Sequence, residues 1–358
     1  MRGSAWVLSI KEAPSLPGLY RTPPPPTRSH AYKWAIVCFA KLAGSHPTAG
    51  LAYARALAKR PRFGHGVRVR YEGQIYRPPS EADAYILQAT VGCSWNACVY
   101  CDMYREKRFR VRELDDTLAD LTEAAKQFGP RVKKIFVADG DALILPLDHW
   151  LPILDAARAG FPALERVSCY AMARNVLEKS EAELSALRTA GLTRLYIGPE
   201  SGDDVTLKRI AKGSTFDEHV AAAEKARAAG MELSVIVMLG VGGVERSEEH
   251  MLRTADLITA MDPAYFAALT TTVVPDTPLA QLVKKKRFEL PDVSQMFREL
   301  YGIIERAAPS AALFRTNHAS NYLPLAGTLP RDRERLLGVI SAALAGRVNL
   351  RPEWSRGL

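Results

Sequence analysis

Six short apolar runs, each followed by a helix-forming stretch, constrain this chain more than any other feature of its sequence. The runs are Tyr85–Thr90, Lys134–Ala138, Arg166–Tyr170, Thr193–Ile197, Glu232–Leu239 and Tyr265–Thr271. They are rich in Val, Ile and Leu, as strands covered on both faces are. The helices between them have readable ends. Leu114, Leu118, Leu121, Ala125 and Phe128 share one helical face, and Gly129 stops it. Ser180 with Glu183 and Thr215 with Glu218 form capping boxes, closed by Gly191 and Gly230. Ser247, followed by Glu248 and Glu249, opens a further helix with acids at its positive end. Residues 294–307 supply the sixth. Strand–helix units in series predict an α/β fold with a parallel sheet and right-handed crossovers, open or curled into a partial (β/α)6 barrel of TIM type. Ligands then belong at the C-terminal ends of the strands.

Around that repeat the chain divides into four parts. Residues 1–66 are a basic segment with a proline run, Pro23 to Pro26, that favours an extended, solvated chain. Its composition predicts disorder, or translation begun upstream of the native start. Residues 67–84 read as a hairpin lead-in, with Val67 to Tyr71 and Gln74 to Tyr76 flanking Glu72-Gly73. The barrel spans 85–310. Residues 311–358 are a C-terminal loop and helix, Arg331–Leu344, covering the barrel.

The formal net charge of +9 misleads. Residues 1–66 hold ten Lys or Arg and a single acid, Glu12, which leaves 38 residues of each sign for the remainder. The main domain is neutral, so nothing favours a basic nucleic-acid groove. No uncharged stretch of about 20 residues reads as a membrane span. The first thirty residues lack a secretory pattern, and the expected location is cytoplasmic.

The five cysteines are an odd, clustered set, which argues for a metal site over a disulfide framework. Three lie after the first strand in Gly92-Cys93-Ser94-Trp95-Asn96-Ala97-Cys98-Val99-Tyr100-Cys101-Asp102-Met103-Tyr104, with spacing C-x4-C-x2-C. Three thiolates on one loop suit three irons of a cubane cluster, and a missing fourth leaves one iron open to a small ligand. The alternative is structural zinc completed by a His such as His65 or His318. Cys169 lies in an apolar strand and reads as a buried core thiol.

This segment resembles the radical S-adenosylmethionine (SAM) superfamily, whose usual spacing is C-x3-C-x2-C with an aromatic before the last Cys; Tyr100 fills that position. The chain has one extra residue between the first two cysteines. With Arg77-Pro78-Pro79-Ser80-Glu81-Ala82 ahead of it, the segment is similar to a bacterial subgroup related to oxygen-independent coproporphyrinogen III oxidase. The likeness runs from about Val67 to about Leu344. It implies a radical SAM barrel, a [4Fe–4S] cluster on Cys93, Cys98 and Cys101, and S-adenosylmethionine chelating the open iron. It also implies reductive cleavage to a 5′-deoxyadenosyl radical that abstracts hydrogen from a small-molecule substrate. A flavodoxin- or ferredoxin-like electron donor follows.

The resemblance assigns further residues. Asp139-Gly140-Asp141 takes the place of the family's Gly-Gly-Glu against the methionine ammonium; an ordinary turn is the plain alternative. Gly198-Pro199-Glu200-Ser201-Gly202-Asp203-Asp204, then Leu207-Lys208-Arg209 and Lys212-Gly213, resembles a signature of the coproporphyrinogen oxidase, elongator and methylthiotransferase branch. There Glu200 would bond SAM at its ribose or methionine end, unless it is only a helix-entry acid. Arg174 and Asn175 would bind the SAM carboxylate, or are surface loop residues. Met238 and Gly240, in Val237-Met238-Leu239-Gly240, match the adenine-contact strand. Apart from the resemblance, the polar cluster of Asn317, His318, Asn321 and Tyr322 ahead of the final helix would orient or protonate a substrate radical product, or cap and brace its loop. Tyr104 would line the same mouth, or belong to a solvated loop. Rival functions are a coproporphyrinogen III oxidase-like decarboxylase and a non-enzymatic zinc- or cluster-binding interaction protein.

The reading of residues 1–66 has a direct test. A chain lacking them should keep its fold and bind iron as the full chain does; loss of either in circular dichroism or iron assays refutes a dispensable leader.

Overall fold

The computed structural model describes residues 70–356; the basic segment and residues 67–69 of the lead-in lie outside the described residues. In chain order the strands are β1 (Tyr85–Gln88), β2 (Thr90–Val91), β3 (Arg110–Val111), β4 (Lys134–Ala138), β5 (Arg166–Tyr170), β6 (Leu192–Glu200), β7 (Glu232–Leu239), β8 (Tyr265–Thr270), β9 (Ala312–Arg315) and β10 (Ala326–Leu329). The helices are α1 (Leu114–Phe128), α2 (Leu147–Gly160), α3 (Ala173–Glu178), α4 (Glu181–Ala190), α5 (Asp204–Arg209), α6 (Phe216–Ala228), α7 (Ser247–Met261), α8 (Pro278–Lys284), α9 (Val293–Arg306) and α10 (Arg333–Leu344).

Eight strands form one sheet in the order β1-β4-β5-β6-β7-β8-β9-β10. Every pair from β1 to β9 is parallel, and β10 returns antiparallel at the edge. β1 does not pair with β10, so the barrel is partial. Six of these strands match the runs legible in the sequence. β9 and β10 extend the sheet where a loop was expected, because Ala-Leu-Phe-Arg and Ala-Gly-Thr-Leu are too short to show a period. The expected hairpin is not seen: Gln74 to Tyr76 forms no strand. Its neighbour Glu72 instead exchanges bonds with the Gln88 side chain, the Glu72 amide donating to Oε1 (2.9 Å) and Nε2 donating to the Glu72 carbonyl (3.2 Å).

Strand alternation divides the interior. Outward residues such as Ile135, Val137, Val167, Leu195, Ile197, Val235, Phe266 and Ala268 form one core with Leu121, Ile153, Leu184, Ala222, Ile258 and Ile303 of the helices. Cys169 belongs to it and is fully buried, as its sequence context implied. On the concave face Phe136, Ala138 and Tyr196 pack with Ile75, Ile86, Tyr170 and Ile236, so the lead-in segment fills the β1–β6 half. The other half stays open: Met238, Ala267, Leu269, Leu313 and Arg315 are half-buried, while their outward neighbours are buried. Among the described residues no helix is long and apolar enough to cross a membrane.

The end of β6 is seated on α7. The Gly202 amide donates to Thr254 Oγ1 (3.1 Å), and a Cβ on Gly202 would lie 2.0 Å from the Arg253 carbonyl oxygen. Backbone cannot yield as a side-chain tip does. Gly202→Ala is therefore expected to cost about 1–3 kcal/mol, read as a lower urea midpoint at unchanged m-value.

Candidate functional site

The cysteine loop, residues 92–109, leaves the sheet between β2 and β3, which pair at its base (Thr90 with Val111, Val91 with Arg110). The end of β4 holds it. Asp139 is fully buried, and its Oδ2 accepts from the Gly92 amide (2.9 Å), Gln88 Nε2 (3.0 Å) and Lys107 Nζ (2.9 Å). The Gly140 amide donates to the Gly92 carbonyl (3.1 Å). Asp141 accepts from the Ser94 amide (3.0 Å) and the Ser94 hydroxyl. Gly92 has φ +81°, a left-handed turn that glycine adopts without strain. Gly140 is equally specific, since a Cβ there would lie 2.7 Å from Cys93 Cβ. Both carboxylates of the Asp-Gly-Asp segment thus serve the loop, and Asp139 Oδ1 remains buried without a partner.

The far side of the loop rests on the α5 region. Trp95 Nε1 donates to the Ala211 carbonyl (2.7 Å) and the Val99 amide to the Ile210 carbonyl (3.0 Å). A Cβ on Gly213 would strike the Trp95 ring at 2.5 Å. Glu200 ends β6 at φ +68°. Its Oε1 accepts from Tyr100 OH (2.9 Å) and Lys212 Nζ (2.9 Å), and this triad borders the thiols. Burial opposes the Lys212 charge, but Glu200 and Cys98 raise its pKa above the usual lysine value. Arg105 turns inward to the loop backbone, donating to the Cys101 and Cys98 carbonyls (2.6 Å each).

The three thiols are half-buried. Burial, then Asp141, raises the Cys93 thiol pKa, and burial pushes Cys101 up to about 11. A metal that binds these thiols displaces their protons. Among the described residues no three His, Cys, Asp or Glu side chains are gathered tightly enough to share one ion. A cubane asks for something else, one thiolate on each of three irons. The donor set, with buried open valences at Asp139 Oδ1 and Tyr104 OH beside it, fits that group.

The other residues singled out in the sequence fall as follows. Arg174 donates to Ser94 Oγ (2.8 Å) and lies over the Trp95 ring, 4.9 Å from its centroid. Asn175 is buried, not a surface residue; its Oδ1 caps α3 by accepting the Met172 amide (2.8 Å), and its Nδ2 has no partner. Met238 lines the open concave face, and the Gly240 amide points to Glu299 Oε2 (2.6 Å). Tyr104 is buried and packs edge-on against Tyr76, so its solvated-loop alternative falls. Asn321 is a brace: Nδ2 donates to the Ala268 and Thr316 carbonyls (2.8 and 3.1 Å) and Oδ1 accepts from Thr270 (2.9 Å). His318 Nδ1 pairs with Ser320 Oγ (2.9 Å), and burial, helped by Arg351, lowers its pKa. Asn317 is exposed, and Tyr322 is covered by the Arg356 guanidinium at 3.9 Å.

Sequence reasoning missed Lys107, the loop's buried counter-ion, and the lysine of the Glu200 triad. Lys212 had a signal, the Lys-Gly of the resembled signature. Lys107 had none, being one cation among several in a polar stretch. It also missed Glu299 and His250, which read as ordinary polar helix positions and are almost wholly buried.

Residues 87–257 match the Radical SAM superfamily. The heme chaperone HemW of Bacillus subtilis (strain 168) is 25% identical over 213 residues, covering 58% of this chain and 55% of HemW. GTP 3′,8-cyclase 1 of Pseudomonas aeruginosa is 26% identical over 211 residues, 58% of each chain. This chain therefore spans little more than half the length of these relatives. Among solved structures, the Escherichia coli coproporphyrinogen III oxidase (HemN) aligns with TM-score 0.48 and 16% identity over 62% of this chain and 51% of that one.

The Lys107–Asp139 pair has side-chain exposures of 5% and 0%. Removing one partner leaves the other charge buried. Lys107→Met is expected to lose about 3–5 kcal/mol in chemical denaturation, a loss Asp139→Asn should partly relieve in the double variant.

Proposed function

We propose, from the match of residues 87–257 to the Radical SAM superfamily, that this chain is an enzyme cleaving S-adenosylmethionine at a [4Fe–4S] cluster to abstract hydrogen from a small-molecule substrate. The observation that carries this reading is the set of three thiols on one braced loop at the strand tops, with the other described cysteine, Cys169, buried in the core. Cys93, Cys98 and Cys101 would hold the cluster, with one iron left for the amino acid end of SAM. When bound, the reduced cluster would supply one electron to the SAM sulfonium, whose C5′–S bond would break to give methionine and a 5′-deoxyadenosyl radical.

The protein's own residues bind, orient and enclose. The backbone carbonyls of Asp139 and Gly140 meet the methionine ammonium, because Asp139 Oδ2 is committed to the loop and Gly140 has no side chain. Arg174 has one bond of its five possible donors in use and takes the carboxylate. Glu200 keeps Oε2 for a ribose hydroxyl while Tyr100 and Lys212 fix Oε1. The end of β7, Met238 to Gly240, supports adenine. The open concave face of β7–β9 is an apolar bed for substrate, and His318 and Asn317 lie in the loop that follows β9. Asn321 acts there only through the backbone it braces. An external carrier of ferredoxin or flavodoxin type supplies the electron.

HemW and the cyclase are named for different molecules, heme and GTP. The span they share with this chain therefore speaks for the domain's chemistry and not for a substrate.

Anaerobic reconstitution tests the reading. It should give about four iron and four sulfide per chain, and dithionite with SAM should release 5′-deoxyadenosine. Alanine at Cys93, Cys98 or Cys101 should abolish both, whereas zinc uptake without SAM turnover overturns the reading. Glu200→Gln should keep iron and raise the KM for SAM roughly tenfold to a hundredfold, the worth of a hydrogen bond to a charged group.

A further inference from the structure

Glu299 lies on α9, 2% exposed, with both carboxylate oxygens in use. Oε2 accepts the Gly240 amide (2.6 Å) and Oε1 accepts the Ser247 hydroxyl from α7 (2.6 Å). His250, also on α7 and fully buried, brings Nε2 to 3.8 Å from Oε2; that nitrogen has no hydrogen-bond partner. The other ring nitrogen pairs with Ser201 Oγ (2.8 Å), which accepts the Asp203 amide (3.0 Å). One buried polar chain therefore joins the tops of β6 and β7, next to Glu200 at one end and Gly240 at the other. The turn between them and α7 is moulded closely: a Cβ on Gly240 would lie 2.8 Å from Met296 Cε, and one on Gly242 2.9 Å from His250 Cβ.

A carboxylate is a poor choice for packing alone. Its burial is costly even when bonded, and an apolar side chain of similar volume fills such a position as well or better. What Glu299 adds is direction, because a short charge-assisted bond fixes one amide at one strand end.

We infer that Glu299 is a positioning residue for the adenosyl half of SAM, setting the height of the β7 end through the Gly240 amide. The inference rests on the assignment of β7 to that cofactor. It also carries a pH dependence. Burial pushes the Glu299 carboxyl up to about 7, against the Ser247 and Gly240 bonds that lower it. Burial lowers His250 to about 4, so it is neutral throughout the relevant range. Among the described residues His250 is the one basic group within 4.0 Å of the carboxylate. Asp203 acts on His250 from the end of β6, and Arg246 neutralises it with bonds of 2.7 and 2.9 Å. The ionised carboxylate is the stronger acceptor, so SAM should bind more tightly above pH 7 and more weakly as Glu299 protonates below it.

The test is the SAM dissociation constant of the reconstituted full chain, by equilibrium dialysis without reductant from pH 5.5 to 8.5, alongside iron content. Glu299→Gln should retain iron, weaken SAM about tenfold at pH 8 and flatten the profile. Ser247→Ala, which leaves Glu299 in place, should move the midpoint upward by about half a unit to one unit. It also serves if Glu299→Gln does not fold. A wild-type chain that binds SAM with no pH dependence, or a Gln variant or Ser247→Ala that matches it at every pH, overturns the inference while leaving the proposed function standing. A wild-type chain that holds iron but binds no SAM removes both.

Discussion

Asp139 occupies the point where the sheet becomes a site. Its carboxylate is fully enclosed at the end of β4, and it gathers the Gly92 amide, the Gln88 side chain and the Lys107 ammonium on one oxygen. Those partners come from the cysteine loop and from the strand beside it. A buried carboxylate without such partners would be strongly disfavoured, so the loop cannot lift away without exposing or orphaning that charge. The position of Cys93, one residue after Gly92, follows from this bond more than from any contact of its own. Asp141 and Ser94 repeat the device one step further along.

The same economy recurs around the strand tops. Glu200 is fixed by Tyr100 and Lys212, Glu299 by Ser247 and Gly240, and Asp203 by Arg246. Each acid is bonded to a backbone amide, a hydroxyl or a cation; Glu200 and Asp203 stand at the exit of β6, and Glu299 reaches the exit of β7 from the middle of α9. The concave face divides along a similar logic. Where Ile75 and Tyr170 enter, the interior is filled; where β7, β8 and β9 present Met238, Ala267, Leu269 and Leu313, it is open.

Much of this was legible in the chain alone. The strands from Lys134, Arg166 and Glu232 begin and end where the apolar runs do, because strands covered on both faces must be apolar throughout. The capping boxes at Ser180 and Thr215 form as read, since each is a contact between residues three apart. β9 and β10 were not legible, because four residues pairing with distant strands leave no local period. The solvated-loop reading of Tyr104 failed because its enclosure comes from Tyr76 and from packing against Gly140.

Sequence alone determined the order of the six strand–helix repeats and the spacing of the three cysteines, since each depends on residues a few positions apart. Tertiary structure decided which side chains serve the loop and which remain available to a ligand. Asp139 and Asp141 face inward to the loop, Asn321 is consumed as a brace, and Lys107, His250 and Glu299 are buried partners. Those outcomes turn on contacts between residues tens of positions apart. The strength of a charge or amide there is set by how much water the fold excludes, a quantity no local pattern records.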